Sequence, residues 1–131
     1  MEKMADRPKT VLIVEDEVDW REQIFRESLE DEGLIVFTAA TYDESIELID
    51  QHAFDLAVVD INLTNVPGNV QGAQVMRYIR DRQDTRIIVV SGSRERNQKQ
   101  IEDIDYVAFI EKDSFDIAAF VQVVREIMEL N

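Results

Sequence analysis

Apolar residues fall along this chain in two alternating rhythms. Short continuous runs occur at "TVLIV" (10–14), "LIVFTAA" (34–40), "LAVVD" (56–60), "RIIVVSG" (86–92) and "YVAFIEK" (106–112). Runs of this length, rich in β-branched residues, read as strands buried on both faces. Between them the spacing turns helical. From Glu17 to about Asp31, Ile24, Phe25, Ser28 and Leu29 share a face, and Gly33 follows where a helix C-cap would sit. Thr41 is placed to cap a second helix, with Glu44 three residues on to complete a capping box; Ile46, Leu48 and Ile49 are its apolar positions. A third helix is predicted from near Gly72, presenting Val75, Met76 and Ile79. "NQKQIEDID" offers only Ile101 and Ile104 and predicts at best a short fourth helix. The last helix has the clearest period, through Ile117, Phe120, Val121, Val124, Ile127 and Met128.

Five strands alternating with five helices predict βαβ units. The expected fold is α/β: a doubly wound, five-stranded parallel sheet with helices on both faces. At 131 residues the chain has room for one such core. Residues 1–8 are expected to form a tail and residues 9–131 the domain.

Composition narrows the function. With no cysteine there is no disulfide, no thiolate metal site and no cysteine nucleophile. No apolar run approaches the ~20 residues needed to span a bilayer, and the N-terminus lacks the apolar stretch of a signal peptide. A cytoplasmic protein without membrane contact is expected. The balance of 14 basic against 28 acidic side chains gives a net charge of −14, which argues against direct nucleic-acid binding. Solubility accounts for most of those carboxylates, but not for the ones at the ends of apolar strands.

In open parallel sheets, ligands bind outside the carboxyl ends of the strands. Strand one ends in Glu15 and Asp16, strand three in Asp60 with Asn62 two residues on, strand four in Ser91, and strand five in Lys112. Two carboxylates about 5 Å apart repel by roughly 3 kcal/mol at an effective dielectric near 20. A site holding three must raise a pKa or bind a cation, and an open oxygen cluster suits Mg²⁺. A lysine and a hydroxyl beside such a cluster suit phosphoryl transfer, with Asp60 as the nucleophile.

"LIVEDE", "VVDINL", "VVSGS" and "FIEK", in that order and spacing, resemble the marks of the response-regulator receiver domain of two-component signalling. The resemblance runs from about Lys9 to the end and implies strand order 2-1-3-4-5. It implies that Asp60 accepts a phosphoryl group from the phosphohistidine of a sensor histidine kinase or phosphotransfer protein. Glu15, Asp16, Asp60 and the backbone carbonyl of Asn62 would hold Mg²⁺, Ser91 would hydrogen-bond the phosphoryl group, and Lys112 would pair with it. Ser91 and Phe109 would be the switch residues, altering the surface of the fourth helix, fifth strand and fifth helix for an output protein or fused domain. Separate substrate turnover is not expected.

The sequence departs from the family pattern in three places. Asp113 stands where a proline usually follows the lysine. The loop after Asp60 is longer, with Pro67 displaced. Gly92 and Ser93 are small, which predicts a phosphoaspartate open to water and short-lived. Taken singly, Asp16 reads as a helix cap, Ser91 as a turn residue, Lys112 as a solvated charge and Phe109 as core; together they carry the phosphoacceptor reading. His52 is expected near a helix C-terminus, and Trp20 in ordinary packing, with the edge of the acidic pocket as the alternative. Ala119, Val123 and Leu130 form a second stripe suited to a homodimer or partner face. The alternatives are a pseudo-receiver that binds partners without phosphorylation, and an aspartate phosphatase of haloacid-dehalogenase type. The latter would want an acid where Asn62 stands.

Overall fold

In a computed structural model of the protein, residues 8–63, 70–92 and 99–130 are described. The five apolar runs become β1 (Thr10–Val14), β2 (Ile35–Ala39), β3 (Leu56–Asp60), β4 (Arg86–Ser91) and β5 (Ala108–Glu111). They form one parallel sheet in the order β2-β1-β3-β4-β5. The register sets Val14 beside Val59, Asp60 beside Val90, and Ser91 beside Glu111. The strand order reverses between β1 and β3, so the crevice of this sheet opens above the ends of those two strands.

Alternation along each strand divides the core into two layers. Leu12, Val14, Ala57, Val59, Ile87 and Val89 face α2 (Tyr42–Gln51), α3 (Gln71–Arg82) and α4, a helical turn described over residues 99–101. Val11, Ile13, Leu56, Val58, Ile88 and Val90 face α1 and α5 (Ile117–Met128). α1 winds as a π-helix over Asp19–Arg26 and as an α-helix over Glu27–Glu30. All of these strand residues are buried. Burying hydrocarbon on both faces yields about 25 cal/mol per Å² removed from water and holds the central strands fixed. No helix among the described residues is long and apolar enough to cross a membrane.

The predicted end signals hold with small changes. Gly33 takes φ +83° just beyond α1, a left-handed conformation that favours glycine. Thr41 Oγ1 accepts from Glu44 N–H at 3.1 Å, but the Glu44 carboxylate returns to Ala40 N–H at 2.9 Å, one residue before the cap. His52 caps the end of α2 and stacks on Phe37 at 4.5 Å. Ile117, placed on the apolar stripe by periodicity, is 50% exposed, because α5 packs through Phe120, Val124 and Met128. Ala119 is exposed, while Val123 and Leu130 are half-buried. β5 ends at Glu111, so Lys112 opens the 3₁₀ turn Lys112–Ser114 rather than closing the strand. Pro67, Ser93 and the start of the fourth helix lie outside the described residues.

Candidate functional site

β1 and β3 lie side by side, and the residues that leave them deliver their carboxylates to one point. Ligand atoms of Glu15, Asp16 and Asp60 lie within 4.8 Å of one another. Glu15 and Asp60 are buried, with 0% and 3% of their surfaces exposed. Lys112 reaches across from the turn after β5, its Nζ 2.7 Å from Glu15 Oε1 and 3.1 Å from Asp60 Oδ2. Glu17 Oε2 stands 3.9 Å from the same ammonium. Among the described residues, the Lys112 ammonium thus pairs with two of the three clustered carboxylates and lies near a further one, Glu17.

That imbalance is visible in the titration of the groups. Burial, followed by the charge of Asp60, pushes the Glu15 carboxyl up to about 8, and Lys112 only partly offsets this. Burial also raises Asp16, and the Asp60 charge adds to it. For Lys112, burial alone would lower the ammonium pKa, but the Asp60 and Glu15 carboxylates outweigh it and the net direction is up. The donor set fits a hard divalent cation, which would complete the charge balance the protein leaves open.

The other expected residues take their places around Asp60. Asn62 N–H donates to Asp60 Oδ1 at 2.8 Å and turns the acid toward the crevice. Ser91 is buried, and Asn62 Nδ2 lies 3.4 Å from its Oγ. Phe109 is half-buried on the α2–α3 face and lies 6.2 Å from the Tyr106 ring. Gly92 is exposed, and a β-carbon there would meet only open space.

Three contributors were not read from the sequence. Arg21 Nη1 donates to the carbonyls of Glu15 and Asp16, at 3.1 and 3.2 Å, and clamps the acidic loop from behind. Gly72, in the first turn of α3, touches the backbone that carries Asp60: a β-carbon there would lie 2.4 Å from Ile61 Cα and 2.5 Å from the Asp60 carbonyl oxygen. Glu17 adds its charge beside Lys112. An arginine at the first helical turn after a strand, or a glycine opening a helix, is too common a feature to signal these contacts.

A five-stranded sheet of this order, with a carboxylate cluster at its switch point and a lysine arriving from the turn after β5, defines a doubly wound α/β domain with a candidate cation site. The family model for the response regulator receiver domain matches residues 11–125, and the chain belongs to that family, the receiver domains of two-component response regulators. No curated protein sequence matches significantly. Among solved structures it is similar to a CheY-like receiver domain protein from Methanospirillum hungatei, with 26% identity, a TM-score of 0.79, and coverage of 94% of this chain and 95% of that one. It is similar to the receiver domain of a Pseudomonas aeruginosa sensor histidine kinase with magnesium coordinated in its active-site cleft (16% identity, TM-score 0.76, coverage 94% and 99%). It is also similar to a Burkholderia pseudomallei response regulator carrying a phosphorylated aspartic acid and a calcium ion (23% identity, TM-score 0.70, coverage 90% and 71%).

Proposed function

We propose that this receiver domain is a phosphoacceptor switch in which Asp60 takes a phosphoryl group from the phosphohistidine of a sensor histidine kinase or phosphotransfer protein. The observation that carries the reading is the position of Asp60: buried, within 4.8 Å of Glu15 and Asp16 at its ligand atoms, and 3.1 Å from the Lys112 ammonium. An Asp60 oxygen attacks phosphorus, the O–P bond forms as the P–N bond breaks, and the imidazole nitrogen leaves with that electron pair. Glu15, Asp16, Asp60 and the Asn62 carbonyl would hold Mg²⁺, whose charge offsets that of the phosphoryl oxygens. Lys112 pairs with one of those oxygens, and the Ser91 hydroxyl donates to another. The added ~1.5 to 2 negative charges draw Ser91 and the loop after β4 toward the site. That displacement, with Phe109 beneath it, alters the α4–β5–α5 surface for an output protein or fused domain.

The reading takes residues 9–131 as the receiver unit, cytoplasmic, with no direct contact to nucleic acid or membrane. The exposed Ala119 leaves a face of α5 open to a homodimer or partner. Intact mass after incubation with Mg²⁺ and acetyl phosphate tests it. One added phosphoryl group is expected, absent without Mg²⁺ and absent in Asp60→Asn. Asp113 in place of the usual proline is the one feature favouring a phosphorylation-independent pseudo-receiver. No mass change together with no beryllofluoride binding would establish that reading instead.

A further inference from the structure

Lys112 must meet an arriving phosphoryl group from a short turn. The turn Lys112–Ser114 is a single 3₁₀ turn, and Asp113 and Ser114 are exposed. What anchors it is the next side chain, Phe115, whose ring lies 5.1 Å from Trp20 edge-on, 5.8 Å from Phe25 and 5.5 Å from Phe120. Trp20, at the start of α1, is itself braced by Phe25 at 5.7 Å. Its ring also faces the Lys112 ammonium, with Nζ 5.0 Å from the centroid. One indole thus touches both ends of the turn.

We propose that Trp20 is a positioning residue for phosphoryl transfer: braced by Phe25 and Phe115, its indole holds the Lys112 ammonium at the mouth of the acidic pocket. The inference rests on the phosphoacceptor reading of Asp60. A lysine head is strongly hydrated and sits on a flexible four-carbon stem, so its placement needs contacts that restrict it. Glu15 and Asp60 restrict it now, but both are the groups a cation would engage, and their pull on Lys112 weakens when they do so. The indole face carries no net charge and is not among those ligands, so its attraction for the ammonium does not depend on those carboxylates staying free. In the reaction with acetyl phosphate, the Asp60 O–P bond forms, the P–O bond to the acetyl group breaks, and acetate leaves with the electron pair. Lys112 keeps its protons throughout and supplies charge to the phosphoryl oxygens.

The test combines Trp20→Leu, Trp20→Phe and Lys112→Met with the Trp20→Leu/Lys112→Met double variant. Trp20→Leu is expected to slow modification by acetyl phosphate about tenfold, with Mg²⁺ affinity measured by calorimetry changed less than about twofold. Trp20→Phe should stay within about threefold of the unaltered rate. On the low residual rate of Lys112→Met, Trp20→Leu should have no further effect, because a positioning residue acts only through the group it positions. A wild-type rate in Trp20→Leu, or an equal loss in both lysine backgrounds, overturns the proposal. Trp20 is the sole tryptophan, so a readout independent of metal and of any change at Trp20 exists. Lys112→Met should alter indole emission in the metal-free protein, and unchanged emission overturns the contact. Should the unaltered protein itself fail to be modified, the phosphoacceptor reading falls and takes the proposal with it. Modification of the unaltered protein with no effect of Trp20→Leu removes the proposal alone.

Discussion

The two edges of the sheet are built by opposite rules. At the edge where the strands begin, polar groups are matched with partners. Thr10 N–H donates to Asp55 at 2.8 Å, and buried Thr85 donates its hydroxyl to the Phe54 carbonyl at 2.9 Å. Gln83 accepts from Phe54 N–H and donates to the carbonyls of Ile49 and His52, closing the end of α2. Arg80 ties the Thr85 and Asp105 carbonyls together, and with Arg82 and Arg86 it lines a hollow of about 520 Å³. At the edge where the strands end, three carboxylates crowd one ammonium among the described residues, and burial beside Asp60 pushes the Glu15 carboxyl up to about 8. That hollow lies on the edge of matched groups, while the clustered carboxylates lie on the other. Unbalanced charge is what singles out the candidate site.

The sharpest way to probe that contrast is Gly72→Ala, which forces a methyl group into the Asp60–Ile61 backbone. It should destabilise by about 3 kcal/mol and lower the melting temperature by about ten degrees at this chain length. Little change would mean that the wall behind Asp60 is soft. A paired comparison of the edges comes next. Gln83→Ala should cost about 2 kcal/mol in urea unfolding, because it orphans Phe54 N–H and two α2 carbonyls. Asp60→Asn, without divalent metal, should instead stabilise by about 1 kcal/mol, since it relieves repulsion. The same sign for both would break the contrast.

The pH dependence probes the carboxylate edge by itself. The Glu15 carboxyl sits near 4.5 unfolded and about 8 folded, so folding favours its protonated form. Its stabilising share is complete below the unfolded value and is lost as pH rises through about 8. Melts without metal should therefore fall between these limits, more steeply than those of Glu15→Gln. Mg²⁺ binding should strengthen over the same range and release a proton.

Strand positions and the delivery of Glu15, Asp16, Asp60, Ser91 and Lys112 to one edge were legible because both follow from order along the chain. Apolar runs give the strands, alternation with helices makes them parallel, and residues one step past each run share an end. Lateral contacts were not legible. Arg21 reaching back to the Glu15 and Asp16 carbonyls, Gly72 touching Ile61, and Trp20 spanning Lys112 and Phe115 depend on how helices roll against the sheet. Periodicity likewise put Ile117 on the buried stripe, yet the first turn of α5 is exposed and burial starts at Phe120. The Glu44 carboxylate reaching Ala40 rather than Thr41 is a shift of one residue that composition does not encode.

The most direct measurement of the central claim is the location of the modified atom. After treatment with Mg²⁺ and acetyl phosphate, borohydride reduction converts a phosphoaspartate to homoserine, and peptide mass spectrometry reads its position. The account predicts homoserine at position 60 alone. Homoserine at Asp16 or Asp113 instead, or at none of the aspartates, would contradict it.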